Sequence, residues 1–201
     1  IETLWKDSIY PVARLDFSLI KVFDSFDDFK HRLERKLASV FAQVGFRRDE
    51  NSKIGVIPQL SAWMKTLPKN SLVLLIDEYD APCTACLEDM ELCKNVRALL
   101  GSFYEIISRN DACLRFAFAT GITKYNDFGL NDFTDISIDK KYGSLVGFTE
   151  DEIHHYFPEY LEYAADQLKL PYEEILNRLR ENYGGYCFDD QAVYHVCQPW
   201  S

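Results

Sequence analysis

Features that would mark a membrane-spanning, secreted or nucleic-acid-binding chain are missing from this sequence. No apolar run approaches the roughly 18 to 20 residues that a helix needs to cross a bilayer. No basic segment followed by an apolar one opens the chain, which begins at Ile1 without a methionine. Asp and Glu outnumber Lys and Arg by 32 to 22, giving a formal net charge of −10. We therefore expect a cytoplasmic protein without a membrane partner, whose true start lies upstream. Nucleic acid would be bound only through domains outside this segment.

Internal repeats and low-complexity stretches are also missing, so a solenoid or a disordered linker is not expected. The chain has 201 residues, of which 47% are hydrophobic and 14% aromatic. That content is enough for one sizeable core with a small appended subdomain.

Six cysteines leave the question of a metal site open. They are Cys83, Cys86, Cys93, Cys113, Cys187 and Cys197. Cys83 and Cys86 have the Cys-x-x-Cys spacing of a zinc or redox site, and Cys93 follows seven residues later. A zinc site would need further ligands, such as His154, His155 or Cys187, to be brought close by the fold. The alternative is that all six are reduced thiols of a cytosolic protein, since nothing indicates secretion.

The most informative stretch is residues 71–82, Ser-Leu-Val-Leu-Leu-Ile-Asp-Glu-Tyr-Asp-Ala-Pro. Its continuous apolar run predicts a strand buried on both faces of a parallel sheet. Ligand chemistry in such sheets lies at the carboxyl ends of the strands, where Asp77 and Glu78 follow. An apolar strand ending in Asp-Glu is the Walker B pattern, in which the Asp holds Mg²⁺ and the Glu aligns and deprotonates the attacking water. The alternative is a strand that ends in a solvated acidic turn.

Periodicity predicts an alternation of strands and helices around this stretch. Strands are expected near residues 12–17, 72–76 and 114–119, and a weaker one near 145–148. Amphipathic spacing predicts helices over about 26–44, 56–66 and 87–109, and helical structure from 149 to 183, interrupted at Pro158 and Pro171. Strand, helix and strand at this spacing indicate βαβ units with a parallel sheet.

Several stretches in the same order resemble the AAA-ATPase-like family, whose members often carry a C-terminal nuclease domain of the PD-(D/E)XK type. They are residues 10–18, 74–82, 120–124, 129–132, 147–152, 183–188 and 198–201. The Asp-Glu-Tyr-Asp-x-Pro extension of the Walker B pattern, at residues 77–82, is the most specific of them.

The resemblance implies an α/β fold: the parallel-sheet P-loop NTPase core of the ASCE/AAA-like type, followed by a small helical lid. Residues 1–148 would form the core and residues 149–201 the lid. The three main strands would lie side by side with the Walker B strand in the middle. Asp77 would be the Mg²⁺ and cofactor-binding residue and Glu78 the catalytic base. Thr120 would be the sensor of the γ-phosphate, unless its hydroxyl merely caps the following turn.

One expected part of that family is missing. No Gly-Lys-Ser or Gly-Lys-Thr occurs in the chain, so it resembles an ATPase domain without its first βα unit. The strand at 114–119 would then have an open edge, which another copy or another polypeptide would cover. With Mg²⁺ and ATP as cofactors, the intact parent would be a hydrolase, and this segment alone would be inactive.

Two other functions fit the same residues. One is an NTP-dependent regulatory or interaction module with slow hydrolysis, which controls a partner or a tethered nuclease. The other is a degenerate scaffold that no longer binds nucleotide.

Overall fold

Three parallel strands form the sheet of the first part of the chain. They are β1 (Val12–Asp16), β2 (Leu72–Asp77) and β3 (Leu114–Ala119), with β2 in the middle. This computed structural model describes residues 9–124 and 133–198. The predicted positions, order and parallel pairing of the three strands are confirmed. The predicted family stretch at 129–132 lies outside the described residues, as do residues 199–201 of the last stretch.

Helices connect the strands and pack on one face of the sheet. α1 (Phe26–Ala42) and α2 (Val56–Met64) lead from β1 to β2. Ser25 begins α1, because its hydroxyl accepts a hydrogen bond from the amide of Asp28. The buried positions of α1 are Phe29, Leu33, Leu37, Val40 and Phe41. Their three-to-four spacing places them on one side of the helix, toward the core.

The connection from β2 to β3 starts differently from the prediction. A short helix, α3 (Ala81–Thr84), follows β2, and the long helix α4 (Met90–Arg109) begins only at Met90. The carboxylate of Asp89 accepts hydrogen bonds from the amides of Glu91 and Leu92, which sets this start. A helix cap therefore interrupts the helical pattern that begins near Leu87 in the sequence.

The other face of the sheet is open among the described residues. In a parallel pair, residues opposite each other point to the same side, so Val12, Val73 and Phe116 form one row across the three strands. Val12 is 47% exposed and Phe116 54%, whereas Leu74 and Leu15 on the opposite face are fully buried. β3 is also an edge strand among the described residues, since it pairs only with β2.

Residues 134–201 form a second compact unit, and residues 1–133 the first. The helices of the second unit are α5 (Glu150–Tyr156), α6 (Pro158–Leu168) and α7 (Tyr172–Tyr183). The predicted interruptions are confirmed, because α6 begins at Pro158 and α7 follows Pro171. The helices share a small core of Ile153, Leu161, Ile175 and Leu176. The division into a core of residues 1–148 and a lid of residues 149–201 stays a prediction.

The weak strand predicted at residues 145–148 is wrong. Phe148 makes only one isolated antiparallel bridge, with Cys197. Gly147 has φ +87°, a left-handed conformation that interrupts an extended run. A Cβ at Gly147 would lie 2.9 Å from the Cys197 carbonyl oxygen, so glycine is needed for this close approach.

Asp189 organises the end of the second unit. Its carboxylate accepts hydrogen bonds from the amides of Tyr194, Val193 and Gln191. These donors favour the ionised form and hold the pKa of Asp189 below its ordinary value. Throughout the described part of the chain, no helix is long and apolar enough to cross a membrane.

Two neighbouring leucines of β2 test the one-sided packing of the sheet. Leu74→Ala should cost about 2–5 kcal/mol of unfolding free energy, because Leu74 is fully buried under the helices. Leu75→Ala should cost about 1 kcal/mol, since Leu75 points to the open face. Urea unfolding of this chain followed by circular dichroism measures both. Equal losses would mean that this chain covers both faces of its sheet.

Candidate active site

The carboxyl ends of β2 and β3 bring the three predicted site residues together. Asp77 is the last residue of β2, and Thr120 follows β3 directly. The ladder between the strands continues past their ends, since the Thr120 amide donates to the Ile76 carbonyl at 2.8 Å. The Tyr79 amide in turn donates to the Thr120 carbonyl at 2.9 Å. Residues more than 40 positions apart are thereby held in fixed register.

The Thr120 hydroxyl lies between the two acidic residues. It donates a hydrogen bond of 2.6 Å to Oδ1 of Asp77, and the Glu78 amide approaches its oxygen at 3.4 Å. A bond to a carboxylate is charge-assisted and stronger than one between neutral groups. The hydroxyl therefore orients the Asp77 carboxylate and also contacts the Glu78 amide in the turn after β2.

Arg14 on β1 flanks the same carboxylate. Its guanidinium nitrogen is 4.0 Å from Oδ2 of Asp77, with side-chain exposures of 72% and 49%. An ion pair this exposed contributes little to stability. The Arg14 guanidinium is nevertheless a solvent-exposed cation beside the carboxyl ends of the strands.

Glu78 has an unusual backbone conformation. Its φ is +50°, in the left-handed region that residues other than glycine seldom adopt. The Glu78 carbonyl accepts from the Ala81 amide at 3.0 Å, which closes a tight turn after β2. Strain of this kind costs on the order of 1–3 kcal/mol and is concentrated at functional sites.

Asp77 fits a metal ion that also takes ligands from a substrate. Within residues 9–124 and 133–198, no group of three or more His, Cys, Asp or Glu side chains could hold a metal by itself. Mg²⁺ is commonly bound through one or two carboxylates together with substrate phosphates and water. A half-exposed carboxylate at the end of a strand has the donor chemistry for that mode of binding.

Among residues 9–124 and 133–198, the cysteine cluster supplies no group of three or more side chains that could hold a metal. Cys83, Cys86 and Cys93 are buried, and the Cys86 thiol donates to the carbonyls of Pro82 and Cys83. Burial raises the pKa of the Cys86 thiol to about 12. A thiol held in its protonated form is a poor metal ligand and a poor nucleophile.

Tyr79 and Asp80 are residues whose role the sequence left open. The buried Asp80 carboxylate accepts hydrogen bonds from the amides of Ile122 and Thr123. The Tyr79 hydroxyl donates to the Thr123 carbonyl. The only sequence signal for these contacts is the second acidic residue three positions after Asp77, which does not identify a partner 42 residues away.

These features define an α/β domain with a parallel sheet and an acidic carboxyl edge, consistent with an AAA-like domain. The chain belongs to the AAA-ATPase-like family described as "Predicted AAA-ATPase", whose sequence profile matches residues 1–131. The resemblance inferred from the sequence is thereby confirmed.

One curated relative covers nearly the whole chain. It is an "uncharacterized protein in vnfD 5'region" of Azotobacter chroococcum mcd 1, 29% identical over 197 residues. The match spans 92% of this chain but only 35% of that protein, so the chain covers about a third of the relative's length. No solved structure matches the chain.

The contact between Gly121 and Tyr79 can be tested by adding one methyl group. In Gly121→Ala, the new Cβ would lie 2.5 Å from Tyr79 ring carbons and 2.6 Å from Oδ1 of Asp80. We expect a loss of about 1–3 kcal/mol in urea unfolding, as for other overpacked positions. Gly55→Ala is the control, because its nearest contact would be an ordinary 3.4 Å. A fully stable Gly121→Ala variant would contradict this close packing.

Proposed function

We propose that the full-length protein binds Mg-ATP and transfers its γ-phosphoryl group to water, using the carboxyl edge of this sheet. The observation that carries this proposal is the 2.6 Å hydrogen bond from Thr120 to Asp77, directly beside Glu78. Membership of the AAA-ATPase-like family supports it. A solvated acidic turn would not need a hydroxyl from the neighbouring strand to orient its carboxylate.

Each of the three residues has a distinct role in this proposal. Asp77 would hold Mg²⁺, directly or through water, with its orientation set by Thr120. Glu78 would align the attacking water and accept its proton. Thr120 would sense the γ-phosphate, because its hydroxyl lies on the Asp77 carboxylate and beside the Glu78 backbone amide. When bound, Mg²⁺ neutralises charge on the phosphate oxygens during the transfer.

The phosphate-binding loop would come from a part of the protein outside this sequence. The 201 residues contain no Gly-Lys-Ser or Gly-Lys-Thr to cradle the phosphates. Two right-handed crossovers that run in the same direction across a sheet place their helices on the same face. A further strand beside β3 that precedes β1 in the chain would need a crossover in the opposite direction. Its helix would therefore lie on the opposite face.

The open face and edge of the sheet support that missing unit. Parallel sheets are normally covered on both faces. Here Phe116 is 54% exposed, and its ring is stacked on that of Phe118 at 6.2 Å. Exposed aromatic rings on an edge strand are what an additional strand and helix would cover. We assign the covering unit to the same polypeptide, and treat a second copy or another protein as the alternative.

The remaining assignments follow from this function. Residues 149–201 would be a small helical lid, since α5 to α7 share their own core. The protein would work in the bacterial cytoplasm, where its six thiols stay reduced.

Substitution of the acidic pair separates hydrolysis from binding. In the full-length protein, Glu78→Gln should lower ATP turnover by about 100-fold or more while ATP binding is kept, because only the base is lost. Asp77→Ala should weaken Mg-ATP binding and turnover together. Steady-state hydrolysis and calorimetric titration measure the two effects.

Glu88→Gln is the matched control, since Glu88 is an exposed carboxylate in the same connection. It should leave both turnover and binding unchanged. Small and equal effects of all three substitutions would mean that the acidic pair is only a turn. Tight ATP binding with negligible wild-type turnover would instead favour a nucleotide-dependent switch.

A second comparison tests the external phosphate loop. Residues 1–201 alone should bind Mg-ATP very weakly and hydrolyse no ATP. The full-length protein should bind Mg-ATP tightly and hydrolyse it. Micromolar affinity of the isolated segment would contradict this, because one carboxylate and one hydroxyl should not supply the roughly 8 kcal/mol required. Calorimetry on both proteins under the same conditions decides the point.

A further inference from the structure

The segment after β3, residues 121–123, has little side-chain packing of its own. Gly121 has no side chain, and the side chain of Ile122 is 96% exposed. Its position therefore depends on hydrogen bonds to its main chain. The residues that make them are Tyr79 and Asp80, directly after the acidic pair.

Asp80 holds two consecutive amides of this segment. The Asp80 residue is only 3% exposed. Its Oδ2 lies 2.7 Å from the Thr123 amide, and both oxygens lie 3.2 Å from the Ile122 amide. A buried carboxylate is stable only with such donors. The amides of the segment therefore stabilise the Asp80 carboxylate, and the carboxylate in turn fixes the segment.

Tyr79 holds the segment from the carbonyl side. Its hydroxyl donates to the Thr123 carbonyl at 2.7 Å, and its ring lies against Gly121, where a Cβ would be only 2.5 Å away. The Tyr79 carbonyl accepts from the hydroxyl of the fully buried Tyr104 at 3.0 Å. The segment is thus connected to the hydrophobic core through Tyr79.

We propose that Tyr79 and Asp80 are positioning residues that fix Thr120 on Asp77 by anchoring the three residues that follow it. This inference rests on the proposed ATPase function. Thr120 is exposed at the end of β3, which among the described residues pairs only with β2. Its hydroxyl can stay 2.6 Å from Asp77 only if the backbone on both sides of residue 120 is held. The ladder holds the amide and the carbonyl of Thr120 itself, and the side chains of Tyr79 and Asp80 hold the residues that follow it.

The four residues of the Asp-Glu-Tyr-Asp sequence then divide into two pairs with different tasks. Asp77 and Glu78 face the solvent-accessible edge, where a substrate would bind. Tyr79 and Asp80 turn back into the structure and bind main-chain atoms 42 to 44 residues away. A merely stabilising role would lower the melting temperature without a selective effect on the chemical step.

Two conservative variants of the full-length protein test the proposal. Tyr79→Phe removes only the hydroxyl, and Asp80→Asn replaces one acceptor oxygen by an amide that cannot accept. Ser61→Ala is the matched control, because it removes one hydrogen bond, to Asn110, within the same unit. Each variant is measured by amide hydrogen exchange without nucleotide, by melting temperature, and by kcat and KM for Mg-ATP.

We expect both variants to speed exchange at Ile122 and Thr123 by about tenfold, as for the loss of one such hydrogen bond. Their kcat should fall by about tenfold or more with KM within about threefold, since a misplaced sensor affects the chemical step. Ser61→Ala should lower the melting temperature by a similar amount and leave both the local exchange and kcat unchanged.

Two results would overturn the proposal. One is exchange at residues 122 and 123 that matches the Ser61→Ala control, which would mean that the anchors do not hold the segment. The other is faster local exchange with unchanged kcat, which would mean that the segment does not position Thr120. If wild-type protein hydrolyses no ATP, the proposed function fails separately. The Thr120 methyl resonance then decides: a shift or broadening in both variants, but not in Ser61→Ala, supports positioning, and its absence overturns it.

Discussion

The parallel pairing of β2 with β3, continued past the strand ends to Tyr79 and Thr120, is the interaction on which the candidate site depends. The Thr120 amide and carbonyl bind Ile76 and Tyr79 in the same ladder that joins the strands. That ladder brings the Thr120 hydroxyl to Asp77 and the residues after Thr120 to Tyr79 and Asp80. A slip in this register would separate all of these groups at once.

The same pairing explains why the site combines exposure with order. In the proposed function Asp77 and Thr120 have to be open to solvent to meet a substrate, and exposed residues at a sheet edge have few packing contacts to hold them. The structure compensates through buried groups: the Asp80 carboxylate accepts hydrogen bonds from amides just after Thr120. The Tyr79 carbonyl, in turn, accepts from the buried Tyr104 hydroxyl. The left-handed backbone at Glu78 is the conformational cost of turning from β2 toward these contacts.

The one-sided sheet fits the proposal that a further βα unit covers its open face and edge. The family profile covers residues 1–131, while the relative from Azotobacter chroococcum is almost three times as long as the region it shares. The buried face carries the helices that connect β1, β2 and β3 in order. The apolar residues on the opposite face, such as Val12 and Phe116, are those that a crossover in the other direction would cover.

The amino-acid sequence by itself determined the local elements and the class of the protein. The apolar run at 72–76 and the amphipathic spacing over about 26–44 led to the correct strand and helix, because both signals are local. The resemblance placed Asp77, Glu78 and Thr120 together and led to the right strand order. The sequence misled at residues 145–148, where the backbone of Gly147 ends the extended run. Only the tertiary structure decided what Tyr79 and Asp80 bind, because their partners are main-chain atoms more than 40 residues away, and hydrogen bonds to the main chain leave no pattern in the side chains of the partner.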